Sequence, residues 1–355
     1  MIFCFFCVTI SKVQRSLKGD HMKHKVTLIP GDGIGPEVTA AMVKVVDASG
    51  AEIEWDEQLL GEAALEETGD PFPFATLESI RDNKVAIKGP TATPAGEGHR
   101  SLNVRLRETF KLYAGVRPVR TMPGIKNRFS DTSVDIVLFR ENLEDGYIGE
   151  EREITGGALA VSRFTDIGCE RIARYAFEYA RRNGRKKITV VMKANIFKLT
   201  HGLFRKWAFE VAKEYPQITL NEYLFDVYLA RLVHDPSQFD CVLMTNVYGD
   251  GVSDLHGEII GGLGFAPGAN IGDECAIFEA VHGSAPDIAG KGIANPSALI
   301  LSAALMLHHL GRPDAALRIR NAVDLTLTDG KFTRDVVSKD FLSTKEFTNA
   351  VISNL

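Results

Sequence analysis

Strand-like and helix-like segments alternate along this chain, and that order restricts it to a small set of folds. Short runs rich in β-branched and other apolar residues occur at 26–29, 84–88, 135–139, 188–192 and 241–245. Longer runs with helical periodicity lie between or after them, at 38–46, 169–183, 202–213 and 296–310. Alternation of this kind is typical of α/β proteins. We see no repeat of fixed period and no low-complexity linker, so we expect closely packed lobes that share a site.

A glycine-rich turn at residues 30–36 separates the first predicted strand from the first predicted helix. Its glycines are Gly31, Gly33 and Gly35, which gives the spacing G-x-G-x-G. The dinucleotide fingerprint of Rossmann domains, G-x-G-x-x-G, has one more residue before its last glycine. We therefore predict an α/β fold that is not a classical Rossmann fold.

Charge and cysteine usage favour small-molecule chemistry. The 355 residues carry a formal net charge of −5 and no block of clustered Lys and Arg. Nucleic-acid phosphates require such a block, so we expect no nucleic-acid partner. The five cysteines are scattered, and only Cys4 and Cys7 have a metal-like spacing, without a second pair to complete four ligands. We expect reduced thiols in a reducing compartment.

The first 22 residues differ from the rest of the chain. Residues 1–10 are nearly all apolar and residues 11–19 are basic, with no acid before Asp20. A secretory signal has the opposite order, and so short an apolar run cannot span a bilayer, so we expect no membrane partner. Residues 1–22 are either a mitochondrial leader or a misassigned start before Met22, and lie outside the fold in both cases. We predict a cytoplasmic protein, with the mitochondrial matrix as the alternative.

Two carboxylates form a candidate metal site. Asp250 and Asp254 lie four residues apart behind a predicted glycine turn, and therefore on one face of the helix that is expected to follow. No Cys or His completes the set, so these oxygen ligands favour Mg²⁺ or Mn²⁺ over Zn²⁺. The alternative is a helix N-terminus that merely carries acids, which its dipole would favour.

Three arginines form a candidate anion site. Arg107, Arg117 and Arg140 occur near predicted strand or loop ends, beside other polar residues. A guanidinium binds a carboxylate bidentately, so three of them suit a substrate with two or three carboxylates. For any one arginine, the alternative is a solvated salt bridge.

Seven ordered motifs resemble the β-decarboxylating dehydrogenases, the family of isocitrate, homoisocitrate and 3-isopropylmalate dehydrogenases. The motifs occupy residues 28–37, 88–94, 107–118, 140–142, 193–195, 248–250 and 279–290. The similarity runs from about Lys25 to the C-terminus, and chance does not readily produce so many motifs in order. The resemblance implies a two-lobed fold with a large cofactor-binding domain at 23–112 and 261–355. It also implies a small inserted domain at 113–260 that carries a dimer interface.

Within the family, the chain is most similar to NAD-dependent isocitrate dehydrogenases. Ser101 and Asn103 precede the first arginine, where isopropylmalate enzymes carry bulky apolar residues. Short hydrogen-bonding groups suit a carboxylate arm of the substrate, whereas an isopropyl group would prefer leucine. The alternative for Ser101 is that it caps the helix that begins near Asn103, and both can be true.

The resemblance assigns roles in the site. Arg107, Arg117 and Arg140 would bind the substrate carboxylates, and Asp250 and Asp254 would bind the metal together with Asp226 of a second copy of the chain. Such a metal polarises the C2 hydroxyl before hydride transfer and stabilises the enolate that forms when CO₂ departs.

The resemblance also implies two catalytic residues. Lys193, also acting across the dimer interface, would help remove the hydroxyl proton, and Tyr147 would return a proton to the enolate. Residues 143–147 read Leu-Glu-Asp-Gly-Tyr where Thr-Glu-Gly-Glu-Tyr is commoner, so we expect Gly146 to loosen the loop before Tyr147.

The cofactor is expected to be NAD. Residues of the loop after 281 resemble the adenosine-binding loop of the family, and Lys88 and Thr93 would lie near the nicotinamide and the substrate. A carboxylate at Asp287 can accept hydrogen bonds from a ribose diol but repels the 2′-phosphate of NADP. Similar NADP-using enzymes carry Lys-Tyr at 287 and 288. The predicted cofactor-binding residues are Lys88, Thr93, His282, Gly283, Ser284, Ala285, Pro286, Asp287, Ile288 and Asn295.

The predicted activity is the metal-dependent oxidative decarboxylation of isocitrate to 2-oxoglutarate and CO₂ with hydride transfer to NAD, by a homodimer or a higher homo-oligomer. One alternative is homoisocitrate (or 3-isopropylmalate) dehydrogenase, since one methylene is worth only ~1–3 kcal/mol in a pocket. The other is a regulatory chain of a hetero-oligomeric isocitrate dehydrogenase. This second alternative is disfavoured because a regulatory chain could lose several of the predicted catalytic and metal-binding residues. The chain has all of them: Tyr147, Lys193, Asp226, Asp250 and Asp254.

Overall fold

The computed structural model describes residues 23–92 and 100–355. The expected leader at 1–22 and the predicted cofactor residue Thr93 lie outside the described residues. The strands are β1 (His24–Ile29), β2 (Ile53–Glu57), β3 (Val85–Lys88), β4 (Ala114–Arg120), β5 (Asp135–Glu141), β6 (Glu151–Ile154), β7 (Gly157–Ala160), β8 (Lys187–Met192), β9 (Thr219–Leu224), β10 (Cys241–Met244), β11 (Pro267–Ile271) and β12 (Ala276–Ala280).

The helices cover both faces of the sheet region and most of the C-terminal part. They are α1 (Gly35–Ala48), α2 (Glu62–Thr68), α3 (Phe74–Asn83), α4 (Leu102–Thr109), α5 (Asp166–Arg182), α6 (Thr200–Ala212), α7 (Phe225–His234), α8 (Asn246–Ile259), α9 (Ser297–His309), α10 (Pro313–Thr328) and α11 (Thr344–Ser353). Short 3₁₀ helices occur at Gly146–Ile148, Pro236–Gln238 and Leu263–Phe265. The α/β prediction is confirmed, and each predicted strand and helix has a counterpart with ends shifted by a few residues.

One ten-stranded sheet runs through the described part of the chain, in the order β2-β1-β3-β12-β11-β4-β5-β10-β8-β9. Its two ends are parallel, but the middle is antiparallel, because β11 pairs antiparallel with both β12 and β4, and β4 with β5. Strands β4, β5, β8, β9 and β10 all fall within 113–260, although the division of the chain into domains there stays a prediction. The antiparallel middle was not predicted.

Local sequence explains the elements that support the site. Inside the parallel ends of the sheet, β3 and β10 are buried at every position, as expected of strands covered on both faces. The edge strands β2 and β9 are more polar and only partly buried. Helix α9 is apolar nearly all round, which marks a buried helix, and it packs on β11 and β12. Helix α5 begins at Asp166 and is capped by Thr165, whose Oγ1 accepts the N–H of Gly168.

One local prediction is wrong. The sequence predicted a glycine turn before Asp250, but the structure begins α8 at Asn246, so that Gly249 and Gly251 lie inside the helix. A Cβ at Gly249 would lie 2.7 Å from Cγ of Arg140, whereas at Gly251 nothing lies within 4 Å. Gly249 therefore serves close packing against Arg140 rather than a turn. Asp250 and Asp254 still share one helix face, as predicted.

A two-stranded sheet, β6 with β7, projects from this architecture, and all eight of its residues are exposed. Ile154 and Leu159 are among its exposed apolar side chains. The cysteines of the described part, Cys169, Cys241 and Cys275, are free and buried. None of the helices within 23–92 and 100–355 combines the length and the apolarity that crossing a bilayer requires.

Candidate active site

Three loops meet at the N-terminus of α1. Ile34 N–H donates to the carbonyl of Ser284 at 2.9 Å, and Asp32 N–H donates to the carbonyl of Pro90 at 2.7 Å. Gly31 and Gly33 have positive φ angles of 81° and 60°, and a Cβ there would lie 2.2 Å from Pro90 O and 2.1 Å from Ser284 O. These glycines are needed because the protein's own loops approach so closely. The rejection of the Rossmann fingerprint is confirmed on this physical ground.

A group of charged and polar side chains is buried at the centre of the sheet, and we call it the Glu279 cluster: Lys88, Arg107, Arg117, Asn270 and Glu279. Lys88 at the end of β3 and Glu279 on β12 are paired in register, and Lys88 Nζ donates to Glu279 Oε2 at 2.9 Å. Asn270 Nδ2 donates to Glu279 Oε1 at 2.7 Å. Two predicted substrate arginines converge on the same oxygen, with Nη2 of Arg117 at 3.5 Å and Nη2 of Arg107 at 3.7 Å. Arg107 lies in the last turn of helix α4 and Arg117 in the middle of β4, whereas the sequence predicted positions near strand or loop ends.

Electrostatics in the Glu279 cluster favour a bound anion. Burial alone would raise the pKa of Glu279, but Lys88, Arg117 and Arg107 outweigh it and hold that pKa well below its usual range. Burial, followed by the charge of Arg140, lowers the pKa of Arg107 to about 10. One carboxylate is therefore too little to compensate the cations gathered here.

Arg117 also retains an unused donor. Its Nη1 is buried and has no hydrogen-bond partner among the residues that the structure describes. A Cβ at Gly268 would lie 2.0 Å from this atom, so the glycine leaves it room. A buried guanidinium donor without a partner is costly, and a substrate carboxylate would satisfy it.

Arg140, the third predicted arginine, lies beside the predicted metal helix. It is buried at the end of β5, and its Nε and Nη2 donate to Asn246 Oδ1 at 3.0 and 2.7 Å. Its Nη1 donates to Asp250, and its guanidinium lies 4.8 Å from the centre of the Tyr147 ring. The structure thus brings Arg140, Asp250 and Tyr147 together, three residues for which the sequence predicted separate roles in substrate binding, metal binding and catalysis.

Tyr147 is half-buried on the 3₁₀ helix 146–148, and its hydroxyl donates to Asp250. Burial and this bond to Asp250 raise the pKa of Tyr147, so it keeps its proton near neutral pH. The preceding segment is held firmly despite Gly146, because the buried Asp145 carboxylate accepts from Gly146 N (2.8 Å), Val247 N (3.1 Å) and the Ser162 hydroxyl. The expectation of a loosened loop is therefore wrong.

The predicted metal ligands form two groups. Asp250 and Asp254 are neighbours on α8, and partial desolvation together with the charge of Asp250 raises the pKa of Asp254. Two adjacent carboxylates of this kind are hard donors that fit Mg²⁺ or Mn²⁺. Asp226 lies elsewhere, at the start of α7, where it forms an ion pair with Lys193. Within 23–92 and 100–355, no cluster of three or more His, Cys, Asp or Glu side chains could hold a metal.

Ser101 and Asn103 lie at the start of α4. Asn103 lines the same small cleft as Lys88, Arg107 and Glu279, and its Oδ1 is 3.4 Å from the Thr91 hydroxyl. Ser101 occupies the N-cap position, but its side chain makes no capping hydrogen bond. The capping alternative for Ser101 therefore finds no support.

The predicted adenosine loop follows β12. His282 donates from Nδ1 to the Gly283 carbonyl at 3.0 Å, while its buried Nε2 finds no partner in the described part of the chain. Pro286 and Asp287 are exposed, whereas Asn295 is buried and donates to Asp335 at 2.9 Å. The remaining members are near the loop's surface, with Ala285 at a positive φ of 38°. Burial lowers the pKa of His282, so it is neutral near pH 7.

Several residues in the site were not assigned a role from the sequence. Glu279 and Asn142 belong to the family motifs at 279–290 and 140–142, but neither received a role. Asn246 and Asn270 were not considered as site residues. Asn142 Nδ2 donates to Asn270 at 3.0 Å, which extends the Glu279 cluster toward β5. The available signal was a buried-looking asparagine or glutamate inside an apolar strand, since such groups need partners.

Comparisons with known proteins agree with this geometry. The sequence profile of isocitrate/isopropylmalate dehydrogenases matches residues 25–351. The chain is 44% identical over 348 residues to an Arabidopsis thaliana protein named isocitrate dehydrogenase [NAD] catalytic subunit 5, mitochondrial, covering 97% of this chain and 92% of that one. It is 47% identical to a Dictyostelium discoideum protein named as a mitochondrial regulatory subunit of isocitrate dehydrogenase [NAD], covering 93% and 92%.

A solved structure is equally similar. The crystal structure of isocitrate dehydrogenase from Methylococcus capsulatus superposes with a TM-score of 0.90 at 48% identity, covering 93% of this chain and 99% of that one. Likeness of fold, sequence and length all point the same way. The chain belongs to the isocitrate/isopropylmalate dehydrogenase family.

Proposed function

We propose that this protein is an NAD-dependent isocitrate dehydrogenase that converts isocitrate to 2-oxoglutarate and CO₂. The observation that carries the proposal is the buried Glu279 cluster, in which Arg117 keeps a buried donor that no described residue satisfies, beside Lys88 and Arg107. A tricarboxylate supplies the negative charge that this cluster lacks. Family membership and the names of the relatives support the same reaction.

The substrate would be held by side chains that are already in position. Arg107 and Arg117 would bind carboxylates from one side, and Arg140 from the side of α8. Ser101 and Asn103 at the start of α4 would donate hydrogen bonds to the remaining carboxylate arm. A polar wall there favours isocitrate over 3-isopropylmalate, because an isopropyl group would leave these polar groups unsatisfied.

The metal would be Mg²⁺ or Mn²⁺, bound by Asp250 and Asp254 and by Asp226 of a second copy. When bound, such an ion supplies Lewis-acid polarisation of the substrate hydroxyl and carbonyl oxygens. In this chain, Asp250 lies between Arg140 and Tyr147. It therefore links carboxylate binding, metal binding and proton donation in one side chain.

Two side chains would move protons. Lys193 of a second copy would help remove the proton of the substrate C2 hydroxyl, and bound NAD would supply the hydride acceptor. Tyr147 returns a proton to the carbon that loses CO₂, and its raised pKa keeps that proton available. Both roles follow from family motifs, and the burial of Tyr147 beside Asp250 supports its role.

NAD would lie along the loop that follows β12. His282, Gly283, Ser284, Ala285, Pro286, Asp287, Ile288 and Asn295 would bind the adenosine, and Lys88 with Thr93 would lie toward the nicotinamide. The exposed Asp287 would accept hydrogen bonds from the ribose diol and repel a 2′-phosphate. The matched test is the double variant Asp287→Lys with Ile288→Tyr, which should shift preference from NAD⁺ to NADP⁺.

The active unit would be at least a homodimer. Lys193 and Asp226 pair with each other, whereas Tyr147 and Asp250 form a separate pair, so we expect a second copy to complete the site. The exposed β6–β7 sheet and its apolar side chains suit contact with a second copy. Of the two compartments left open, the names of the Arabidopsis and Dictyostelium relatives favour the mitochondrial matrix over the cytoplasm.

A regulatory role is the second candidate, because one relative at 47% identity carries a regulatory name. The test is formation of NADH by the purified chain alone with Mn²⁺ and isocitrate, compared with NADP⁺, homoisocitrate and 3-isopropylmalate. Turnover of isocitrate with NAD⁺ supports the proposal. Faster turnover of homoisocitrate would reassign the substrate, and a folded chain inactive with all three would indicate the regulatory role.

A further inference from the structure

Lys193 has an unusually well-defined backbone for a residue on an exposed turn. It follows β8 directly, and its N–H donates to Nδ1 of His201 at 3.0 Å. Its carbonyl accepts from the N–H groups of Ile196 and Phe197 at 3.1 and 2.9 Å. Both backbone polar groups of Lys193 are thus satisfied within the turn, and one of them depends on a single side chain.

His201 lies in the first turn of α6, is only 4% exposed, and packs among aromatic rings. Ring centroids of Phe164, Phe197 and Tyr248 lie 5.2, 5.0 and 5.2 Å from its own. Because Nδ1 accepts a hydrogen bond, the neutral ring carries its proton on Nε2. Burial lowers the pKa of His201, against the opposing charge of Asp145, so the neutral form is favoured.

The same ring cluster extends to the partner of Lys193. Tyr248 stacks on Phe225 with centroids 3.9 Å apart and an interplanar angle of 14°, and Phe225 directly precedes Asp226. His201 therefore contacts, through Tyr248, the segment that carries Asp226. By contrast, the side chains of Ile196, Phe197 and Leu199 in the turn are exposed, so they add little packing that would hold the turn in place.

We infer that His201 is a positioning residue for Lys193: its Nδ1 fixes the backbone from which the Lys193 ammonium reaches the active site. The inference rests on the proposed function, in which Lys193 acts on the substrate hydroxyl. Without the acceptor, the part-buried N–H of Lys193 loses its partner, and we expect the turn to shift. A displacement of about 1 Å in a group that acts in the chemical step costs on the order of 100-fold in rate.

The experiment compares three substitutions at this position. His201→Asn offers an amide oxygen close to the place of Nδ1, whereas His201→Phe keeps the ring packing and removes the acceptor. His201→Gln places its polar end too far out and serves as a second acceptor-deficient variant. Each is purified as the full chain, checked for fold by circular dichroism, and assayed for kcat and KM with isocitrate, NAD⁺ and Mn²⁺.

We expect His201→Phe and His201→Gln to lower kcat by about 10- to 100-fold with little change in KM for isocitrate. His201→Asn should recover most of the kcat. Phe164→Leu is the matched control, because it removes a ring that packs on His201 without touching the hydrogen bond. It should lower the melting temperature and leave kcat unchanged.

A readout without substrate separates this inference from the proposed function. Hydrogen–deuterium exchange of the Lys193 amide should be slow in the wild type and in His201→Asn, and fast in His201→Phe and His201→Gln. If the wild-type chain does not turn over isocitrate but exchange is fast in His201→Phe and His201→Gln, the positioning of Lys193 is supported and the proposed function is contradicted. Wild-type kcat in His201→Phe, failure of Asn to restore kcat, or an unchanged Lys193 amide would each overturn the inference.

Discussion

The Glu279 cluster and the Lys193–Asp226 pair use the same kinds of charged group under opposite conditions. In the cluster, the side chains of Lys88 and Glu279 are 1% and 8% exposed, and Glu279 has Lys88, Asn270, Arg107 and Arg117 as partners. In the pair, the side chains of Lys193 and Asp226 are 23% and 63% exposed. Buried charges must be compensated inside the chain, whereas exposed ones are screened by water.

The difference indicates how the site is divided. The Glu279 cluster and Arg140 are buried, and Arg140 contacts the partly exposed Asp250 and Tyr147, so this region is organised within one chain before any substrate binds. The exposed pair has functional groups but no enclosed surroundings. It would gain them only when another surface covers it, which is what the proposed dimer supplies.

The largest expected effect is on the buried side. Tyr147→Phe removes the proposed proton donor and should lower kcat by about 10²- to 10⁴-fold, because general acid catalysis contributes that much. Stopped-flow measurement of NADH formation and steady-state kcat give the value. Tyr215→Phe, a tyrosine that packs against Phe177, is the control and should be nearly neutral. A kcat within a few-fold of wild type in Tyr147→Phe would remove the tyrosine from the mechanism.

The second prediction tests whether the exposed pair serves the other copy. Tyr147→Phe and Lys193→Met are each expected to be nearly inactive. If Lys193 acts across the interface, a mixed dimer contains one site with both substitutions and one intact site. Unfolding and refolding an equimolar mixture should then restore about a quarter of the wild-type activity. No gain over the separate variants would mean that both residues act in the same copy.

The third prediction compares the stabilities of the two kinds of environment. Glu279→Gln leaves Lys88, Arg107 and Arg117 without a counter-charge, so we expect a loss of ~3–5 kcal/mol in the free energy of unfolding. Glu222→Gln makes the same change in a different ion pair, the surface pair of Glu222 with Arg205. It should lower the free energy of unfolding by only ~0–1 kcal/mol. Urea denaturation at pH 7 measures both. Equal losses would show that burial is not the decisive difference.

The stability difference at Glu279 should also depend on pH. Its pKa is lowered in the folded protein, so the carboxylate stabilises the fold at pH values above the unfolded pKa, which is about 4.3. As the pH falls below that value, the unfolded chain binds a proton first and the stabilisation is lost. The difference between wild type and Glu279→Gln should therefore shrink between about pH 5 and pH 3.

The smallest effect is expected at the exposed pair. Asp226→Asn should leave the urea midpoint of the metal-free chain unchanged, since its partner Lys193 remains hydrated. The urea midpoint is measured at a protein concentration low enough to keep the chain monomeric, which light scattering checks. A loss as large as that of Glu279→Gln would mean that the pair is part of the folded core of the single chain.

Much of this architecture could be predicted because it depends on local sequence. The alternation of apolar runs was enough for the α/β fold, and the spacing of Asp250 and Asp254 was enough to put them on one helix face. The motifs gave Arg107, Arg117 and Arg140 a shared role, and the structure brings all three into one buried region.

The rest depended on contacts between distant segments. Lys88 and Glu279 are 191 positions apart, and only the pairing of β3 with β12 brings them together. Local reading also gave the wrong role to Gly249, because the Arg140 side chain that needs the space comes from another strand. Asp145 was likewise unpredictable, since its three donors come from two chain segments besides its own neighbour.

The place of β12 in the sheet has a consequence for the order in which the protein can form on the ribosome. Strands β1, β2 and β3 pair with one another, but the second neighbour of β3 is β12, which begins only at Ala276, so one edge of β3 stays unpaired until most of the chain is synthesised. Strands β4, β5, β8, β9 and β10 are complete once residue 244 has emerged. The middle of the chain can therefore fold during translation, while the unpaired edge of β3 needs protection from aggregation until the C-terminal half arrives.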